Sequence, residues 1–423
     1  MKATMPILAG SAAVNQPLID MKPLLSRLWP LQPAVTPDEI AEAISYFFTN
    51  QVSDVQAGSL LICLHFTGLD RQAEVLAKCA AKMRQCAARI DSTQLNSVIK
   101  SKGKGEGAYL GGLCDIVGTG GDSHNTFNIS TTSSIIASSL LLVAKHGNRA
   151  STSKSGSADL LANMQPLAPR ISSVTPLTIA EVYSRTNYAF LFAPVFHPGM
   201  RYVAPVRKQL PWRTIFNLVG PLANPVDTHD VPLIEARVLG VARRDIGPVF
   251  AEALRMSGGR KAMVVCGEEE LDEISCAGPT LCWRLKVEEG AGEGGPVEIE
   301  HFKLCPEDFG LKRHPLSSVS PGKEPAENAA ILTKILKNEL AENDPILEFV
   351  LMNTAALFVI SGICEANSSS LGAGDDGRVI VERGPGGQRW KEGVRRARWA
   401  LRSGEAWRQW SAFVEVTNGF SNE

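Results

Sequence analysis

Polar caps followed by apolar positions at helical spacing mark the first part of the chain. Thr36, Pro37 and Glu39 form a capping-box pattern with proline in the first turn, and Ile40, Ala43, Ile44, Phe47 and Phe48 then recur every three or four residues. Ser53 and Gln56 repeat the signal ahead of Ala57, Leu60, Leu61 and Leu64, with Gly68 placed to end that helix. Ala73, Leu76, Ala80 and Met83 mark another. Consecutive amphipathic helices of this kind predict a small α-helical domain. Residues 101–112, rich in glycine and lysine, read as an exposed linker out of it. The pattern then changes: from Asp115 onward short apolar runs such as 189–192, 236–241 and 262–266 alternate with helical stretches, which indicates βα units and a larger α/β domain. Residues 346–360 are apolar almost throughout and predict a buried helix. Residues 390–410 are amphipathic and basic; Arg395, Arg396, Arg398 and Arg402 are expected on a solvated face rather than an RNA-binding one. Segments 288–295, 315–325 and 367–377 carry few apolar residues, read as surface insertions and are assigned no chemistry.

Composition narrows the class. A chain of 423 residues with 44% hydrophobic content exceeds one typical domain and can fill a sizeable core. A net charge of −1 excludes a general attraction to nucleic acid or to a membrane surface. The nine cysteines include no C-x-x-C pair and are odd in number, so they read as reduced structural thiols of a cytoplasmic protein. The first twenty residues hold one lysine, no arginine and no long apolar core, so neither a signal nor a transit peptide is expected. The apolar run ending at Val143 is broken by serines and too short to span a bilayer.

The densest chemistry lies between residues 115 and 159. Asp115, Ile116 and Val117 predict a buried strand running into Gly118, Thr119, Gly120, Gly121 and Asp122, where glycines let backbone N–H groups approach an anion. Asn128, Ser130 and Thr131 suit the start of a helix through Ser134, Ile135, Ile136 and Leu140, whose unpaired N–H groups and dipole favour negative charge. Neither the lysine-containing P-loop nor the spaced-glycine dinucleotide fingerprint is present. Val143 and Ala144 are expected to end the next strand, which would deliver Lys145, His146, Gly147, Asn148 and Arg149 to the same sheet edge, the place where open α/β sheets bind ligands. Together these blocks predict a site for a heavily phosphorylated ligand.

With residues 189–225 (AFLFAPVFHPGMRYVAPVRKQLPWRTIFNLVGPLANP) and LDEIS at 271–275, the sequence resembles the anthranilate phosphoribosyltransferases of tryptophan biosynthesis from about residue 22 to about residue 415. The resemblance implies their fold, shared with pyrimidine nucleoside phosphorylases: a helical domain over residues 1–100, joined by a helical segment near 200–225, and an α/β domain over 113–423 with a central mixed, mostly parallel sheet flanked by helices. It implies transfer of phosphoribose from phosphoribosyl pyrophosphate to the anthranilate amine. It also implies Mg²⁺, as two ions, one or both delivered with the pyrophosphate, and a homodimer formed through the helical domain, with no nucleic-acid or membrane partner. Carried onto this chain, the backbone of the Gly118 to Asp122 loop would contact the pyrophosphate, with Asp122 helping to hold the active geometry; Thr126, Asn128, Ser130, Thr131, Lys145 and Gly147 would bind substrate, Ser130 reaching Mg²⁺ or phosphate and Lys145 neutralising phosphate charge. His146 would contact anthranilate or transfer a proton, Asn148 would touch both substrates, and Arg207, with Lys208 and Arg213 as competitors, would read the anthranilate carboxylate through two parallel hydrogen bonds. Arg149 is compatible with a ligand contact or with fixing the loop. Pro221 would line the aromatic channel, and Ser130, Asp272 and Glu273 would hold the metal. The chain departs from the family pattern at Leu161, where an acidic residue is common, at Gly199 in place of alanine, and near Leu141, where a glycine is usual. Competing classes are a pyrimidine nucleoside phosphorylase and a non-enzymatic nucleic-acid-binding relative.

Overall fold

The cap signals become helices in a computed structural model that describes residues 17–29, 35–150, 154–228, 232–288, 294–319 and 324–420. The first sixteen residues, and with them most of the stretch expected to lack a leader, lie outside the described residues. Helix α1 (Lys22–Leu28) precedes α2 (Pro37–Phe48), α3 (Asp54–Thr67) and α4 (Ala73–Gln85). At α2 the capping box closes both ways: Glu39 N donates to Thr36 Oγ1 at 3.3 Å and Thr36 N donates to Glu39 Oε2 at 2.9 Å. Ser53 accepts from Gln56 N, and Gly68 ends α3 at φ 74°. Helix α5 (Ser92–Lys102) was not signalled by apolar spacing, because only Leu95 and Ile99 are buried on it; its start is fixed by Asp91 accepting from Gln94 N at 2.9 Å.

Seven strands form one sheet: β1 (Leu113–Gly118), β2 (Leu142–Gly147), β3 (Tyr188–Phe192), β4 (Ile234–Gly240), β5 (Lys261–Gly267), β6 (Thr280–Val287) and β7 (Val297–Leu304), in the order β3-β2-β1-β4-β5-β6-β7. The first five run parallel, and β6 and β7 are antiparallel, joined across the expected insertion at 288–295. Strand order reverses direction at β1, and in such sheets the crevice beyond the carboxyl ends there receives ligands. Helix α6 (Ile129–Ala137) stops short of the expected Leu140, as Ser138 turns its hydroxyl back onto the Ile135 carbonyl at 2.6 Å. Strand β2 continues past Ala144 to Gly147, so Lys145 and His146 project from the strand itself.

The remaining helices are α7 (Ser157–Ala162), α8 (Ile179–Arg185), α9 (Ala193–Phe196), α10 (Met200–Lys208), α11 (Phe216–Val219), α12 (Gly247–Met256), α13 (Leu316–Val319), α14 (Pro325–Leu336), α15 (Pro345–Ser361), α16 (Trp390–Arg402) and α17 (Glu405–Gly419). Two apolar cores result. One joins α1 to α4 with Val203, Val206, Phe216 and Leu222 and with one face of β4 to β6; the other holds α5, α6, α15, α16 and α17. Helix α15 is buried on every side, as its unbroken apolar run requires. No helix among the described residues is long and apolar enough to cross a membrane.

Two sequence expectations change. Residues 390–410 are two helices, because Gly404 at φ 76° separates α16 from α17. Their arginines do not form one solvated face: Arg396 is fully buried between Glu392 (2.8 Å) and Glu106 (2.7 Å) and Arg395 holds Asp375 at 2.9 Å, while Arg402 stays exposed, as expected, and pairs with Glu342. Glu392 comes from the same helix, but Glu106, Asp375 and Glu342 arrive from distant loops, which local charge counting does not see. Two of the expected insertions are also tied down. Asp375 and Ser369 anchor 367–377 on Arg395, and within 315–325 Val319 is buried and its carbonyl accepts from Phe127 N at 3.3 Å. Residues 289–293 and 320–323 lie outside the described residues. At the three departures from the family pattern the packing is tight: Leu141 and Leu161 are core residues, and a Cβ on Gly199 would sit 2.6 Å from the Phe48 carbonyl oxygen.

Candidate active site

Beyond the carboxyl ends of β1 and β2 lies a cleft of about 690 Å³. Its first wall is the glycine turn, where Gly120 and Gly121 adopt φ 65° and 80°. Thr119 is fixed structurally, its N–H on the Gly240 carbonyl at 2.9 Å and its hydroxyl accepting from Ala242 N at 3.2 Å. Arg213 clamps the turn from outside, donating to the carbonyls of Thr119 (2.7 Å) and Gly120. Asp272 reaches the turn from the other side and accepts from Gly120 N at 2.6 Å.

The second wall is the start of α6. Asn128 makes no side-chain cap; its amide donates to the Ser155 carbonyl at 2.9 Å, and its side-chain oxygen accepts from Asn328 at 3.1 Å. The Ile129 N–H turns back onto the Phe127 carbonyl at 2.6 Å, and no side chain caps the N–H groups of Ser130 and Thr131, which suits an anion site. Thr131 is buried with its hydroxyl on Ser157 at 2.8 Å. Lys145 is buried too, its ammonium 2.7 Å from the Ile116 carbonyl and 3.3 Å from the Ser130 hydroxyl, which rules out a surface-snorkelling role. Burial pulls its pKa down to about 8 against the opposing pull of Asp115, Glu273 and Asp272. Beneath it, burial raises the Asp115 carboxyl, which accepts from Asn224 at 2.9 Å.

The floor is acidic. Asp122, Asp272 and Glu273 bring carboxylate oxygens within 4.8 Å of one another. Burial first and the Asp122 charge second raise Asp272 to about 7, and burial followed by Asp272 and Asp122 lifts Glu273 well above its usual range. Thr126 donates to Glu273 at 3.2 Å. A dense set of oxygen donors whose charges repel one another suits a hard divalent cation. Asp122 was read from sequence as a glycine-loop residue and joins the acids only through the fold. Ser130 lines the same cleft.

Asn148 and Arg149 sit at the mouth. Asn148 Oδ1 accepts from Arg149 N at 2.8 Å, and the mostly exposed Arg149 pairs with Asp159 at 3.1 Å, so its contact in this structure fixes the loop. Two predicted residues lie outside the cleft lining. Arg207, on α10, is half buried with its guanidinium 5.8 Å from the Phe216 ring, and Pro221 is buried in the turn after α11. Arg213, one of its competitors in the sequence, is the arginine at the glycine turn. Sequence spacing cannot tell which of two nearby arginines, one on α10 and one in the connection after it, turns toward a loop about ninety residues away.

His146 links the two regions. Its ring is buried, its Nε2 has no partner among the described residues, and its centroid is 5.1 Å from that of His197, whose Nε2 lies 3.0 Å from the Ala223 carbonyl oxygen. Burial pulls the His197 pKa to about 4, and burial, with His197 and Lys145 adding, holds His146 well below its usual value. Both rings are neutral in the folded protein at pH 7. The unfolded chain takes up these protons near pH 6.5, so stability is full above that pH and falls as the pH drops toward 4, by on the order of 3 kcal/mol for His197 alone. Thermal midpoints are expected to decline between pH 7 and pH 4.5, and less steeply in His197→Gln; parallel declines in both proteins would remove His197 from this role.

Comparison with known proteins follows the same division of the chain. Residues 110–407 match the glycosyl transferase family a/b domain, and residues 22–87 match the helical bundle domain of that family. The chain is 39% identical over 386 residues to the anthranilate phosphoribosyltransferase of Schizosaccharomyces pombe, covering 91% of this chain and 94% of the relative. The Saccharomyces cerevisiae enzyme, solved in complex with PRPP and Mg, superposes with a TM-score of 0.74 at 29% identity, covering 94% of this chain and 97% of that one. The same enzyme in complex with 4-fluoroanthranilate gives a TM-score of 0.72 at 27% identity over the same shares.

Proposed function

Because this chain belongs to the anthranilate phosphoribosyltransferase family, we propose that its cleft seats 5-phosphoribosyl pyrophosphate with the diphosphate between the glycine turn and α6, and admits anthranilate from the α10 side. The reaction transfers the 5-phosphoribosyl group to the anthranilate amine and releases pyrophosphate, in tryptophan biosynthesis. The carrying observation is convergence: the glycine turn, the uncapped start of α6 and the Lys145 ammonium meet three carboxylates in one cleft.

Breaking the bond from C1 to pyrophosphate leaves negative charge on the departing group and an electron-poor ribose. Groups that are already in place and already charged lower that barrier most, since nothing has to reorganise. Lys145 and the α6 N–H groups face the departing charge. Asp122, Asp272 and Glu273 would hold Mg²⁺ with Ser130 on the facing wall, and the ion when bound would supply positive charge to the pyrophosphate. Two ions, one or both arriving with the substrate, suit a floor whose three acids need neutralising. The anthranilate amine is already neutral near pH 7 and needs no strong base, and the neutral His146, with its open Nε2, is suited to accept the amine proton as the new bond forms. Asn148 at the mouth would touch both substrates.

Arg207 is assigned to the anthranilate carboxylate, with Pro221 beside the aromatic ring. Both lie outside the cleft lining, so the anthranilate side would be completed when α10 and its turn close on the cleft. The residues assigned to metal and pyrophosphate already line one cleft. Arg207→Ala is expected to raise KM for anthranilate by about 30-fold, the equivalent of losing roughly 2 kcal/mol of charge-assisted pairing, with little change in KM for phosphoribosyl pyrophosphate. Arg207→Lys should be impaired as well, because an ammonium lacks the planar fork. Equal rises for both substrates in steady-state kinetics would assign Arg207 to folding instead. We assign the helical bundle within residues 1–100, with the 200–225 segment packed on it, to a homodimer contact, and the enzyme to the cytoplasm.

A further inference from the structure

At the opposite end of the sheet a second cavity, of about 530 Å³, opens between the start of β2, the segment after α5, the 367–377 loop and the junction of α16 with α17. Four cations line it: Lys102, Lys104, Arg185 and Arg408. Its two acids are already engaged, Glu106 by the buried Arg396 at 2.7 Å and Glu405 by Arg408 at 2.8 Å. Lys102 is half buried and has no carboxylate within ion-pair distance among the described residues; burial and the Arg408 charge push its amine down to about 8. Ser139, also on the lining and only 7% exposed, has a buried hydroxyl with no hydrogen-bond partner among the described residues. Leu371 and Trp399 add apolar surface, and the loop carrying Leu371 is held in place by the ion pair of Asp375 with Arg395.

A buried hydroxyl left unpaired costs about 1–3 kcal/mol, and a half-buried ammonium set beside a guanidinium is disfavoured for the same electrostatic reason. Both defects are cured by one ligand type. We propose that this cavity binds a small aromatic carboxylate or a similar organic anion, its charge against Lys102 and Arg185 with the Ser139 hydroxyl donating to it, and its apolar body against Leu371 and Trp399. No residue of this cavity lines the catalytic cleft, so the site is separate from the chemistry described above. It also gives the 367–377 segment, which sequence reading left without chemistry, a role as a wall.

Calorimetric titration of the full chain with naphthalene-2-carboxylate tests this. The Arg207→Ala background, saturated with pyrophosphate, removes the proposed anthranilate carboxylate contact from competition. One probe per chain should still bind there. Binding should weaken at least about tenfold on adding Lys102→Met or Leu371→Glu, and the uncharged naphthalene-2-carboxamide should bind at least about tenfold more weakly than the acid. In the otherwise unaltered chain, both substitutions should leave turnover unchanged, which excludes unfolding as the cause. No site persisting in the Arg207→Ala background up to about 10 mM probe, or a persisting site indifferent to both substitutions, would overturn the proposal.

Discussion

Replacing Asp272 with Asn and Glu273 with Gln together is expected to lower kcat by about 100-fold or more and to move the Mg²⁺ dependence to higher concentration, while the protein remains folded. The substitutions keep size and polarity but remove two of the three carboxylates within 4.8 Å of one another. The magnitude follows from the several kcal/mol that a correctly held cation contributes to a charged leaving group, each 1.4 kcal/mol being about tenfold in rate. Stability should not fall and is expected to rise, because burial and mutual repulsion hold both carboxyls above their usual range and the neutral amides relieve that strain. Anthranilate affinity should change less than turnover. A wild-type kcat with an unaltered Mg²⁺ titration would make these residues ordinary buried acids.

Gly240→Ala is the second large effect, and it acts at a position that touches no ligand. A Cβ on Gly240 would lie 1.6 Å from the Asp272 carbonyl oxygen, and one on Gly118 would lie 2.3 Å from Asp272 Oδ2. The LDEIS segment thus rests directly on the ends of β1 and β4, and only glycine leaves room for it. Alanine at 240 must push Asp272 and its bond to Gly120 N away, at a cost of about 3 kcal/mol or more for overpacking a fixed backbone contact. The expected result is a lower unfolding midpoint together with loss of turnover that extra Mg²⁺ does not restore. Full activity in Gly240→Ala would show that the Asp272 position is not set by this contact.

How much of this the sequence carried depended on how local the signal was. Helices α2 and α3 were legible because the cap and the apolar stripe lie close together in sequence, with Gly68 also marking the end of α3. Strand β1 with its turn, and β2 with Lys145 and His146, were legible for the same reason, although the serine back-bonding that ends α6 early was not. Helix α5 was missed since two buried residues make no periodicity. What sequence could not supply was partnership across the chain. Besides Glu392 on the same helix, the acids that hold Arg395 and Arg396 are the distant Asp375 and Glu106, and Asp122 meets Asp272 only through the tertiary fold. The choice between Arg207 and Arg213 was likewise open, because both follow His197 within one short stretch, Arg207 on α10 and Arg213 in the connection after it, and only tertiary packing turns Arg213 onto the glycine turn.

The residues assigned to pyrophosphate and metal line one cleft before any substrate arrives, together with His146 and Asn148, whereas Arg207 and Pro221, assigned to the anthranilate carboxylate and ring, do not. The family assignment and this geometry together make phosphoribosyl transfer to anthranilate, dependent on a divalent cation, the central claim. Its most direct test is the loss of anthranilate fluorescence when the purified chain is mixed with phosphoribosyl pyrophosphate and Mg²⁺. The account predicts steady loss that requires both additions and stops on adding EDTA. Undiminished anthranilate in the presence of well-folded protein, or loss that continues unchanged in EDTA, would contradict it.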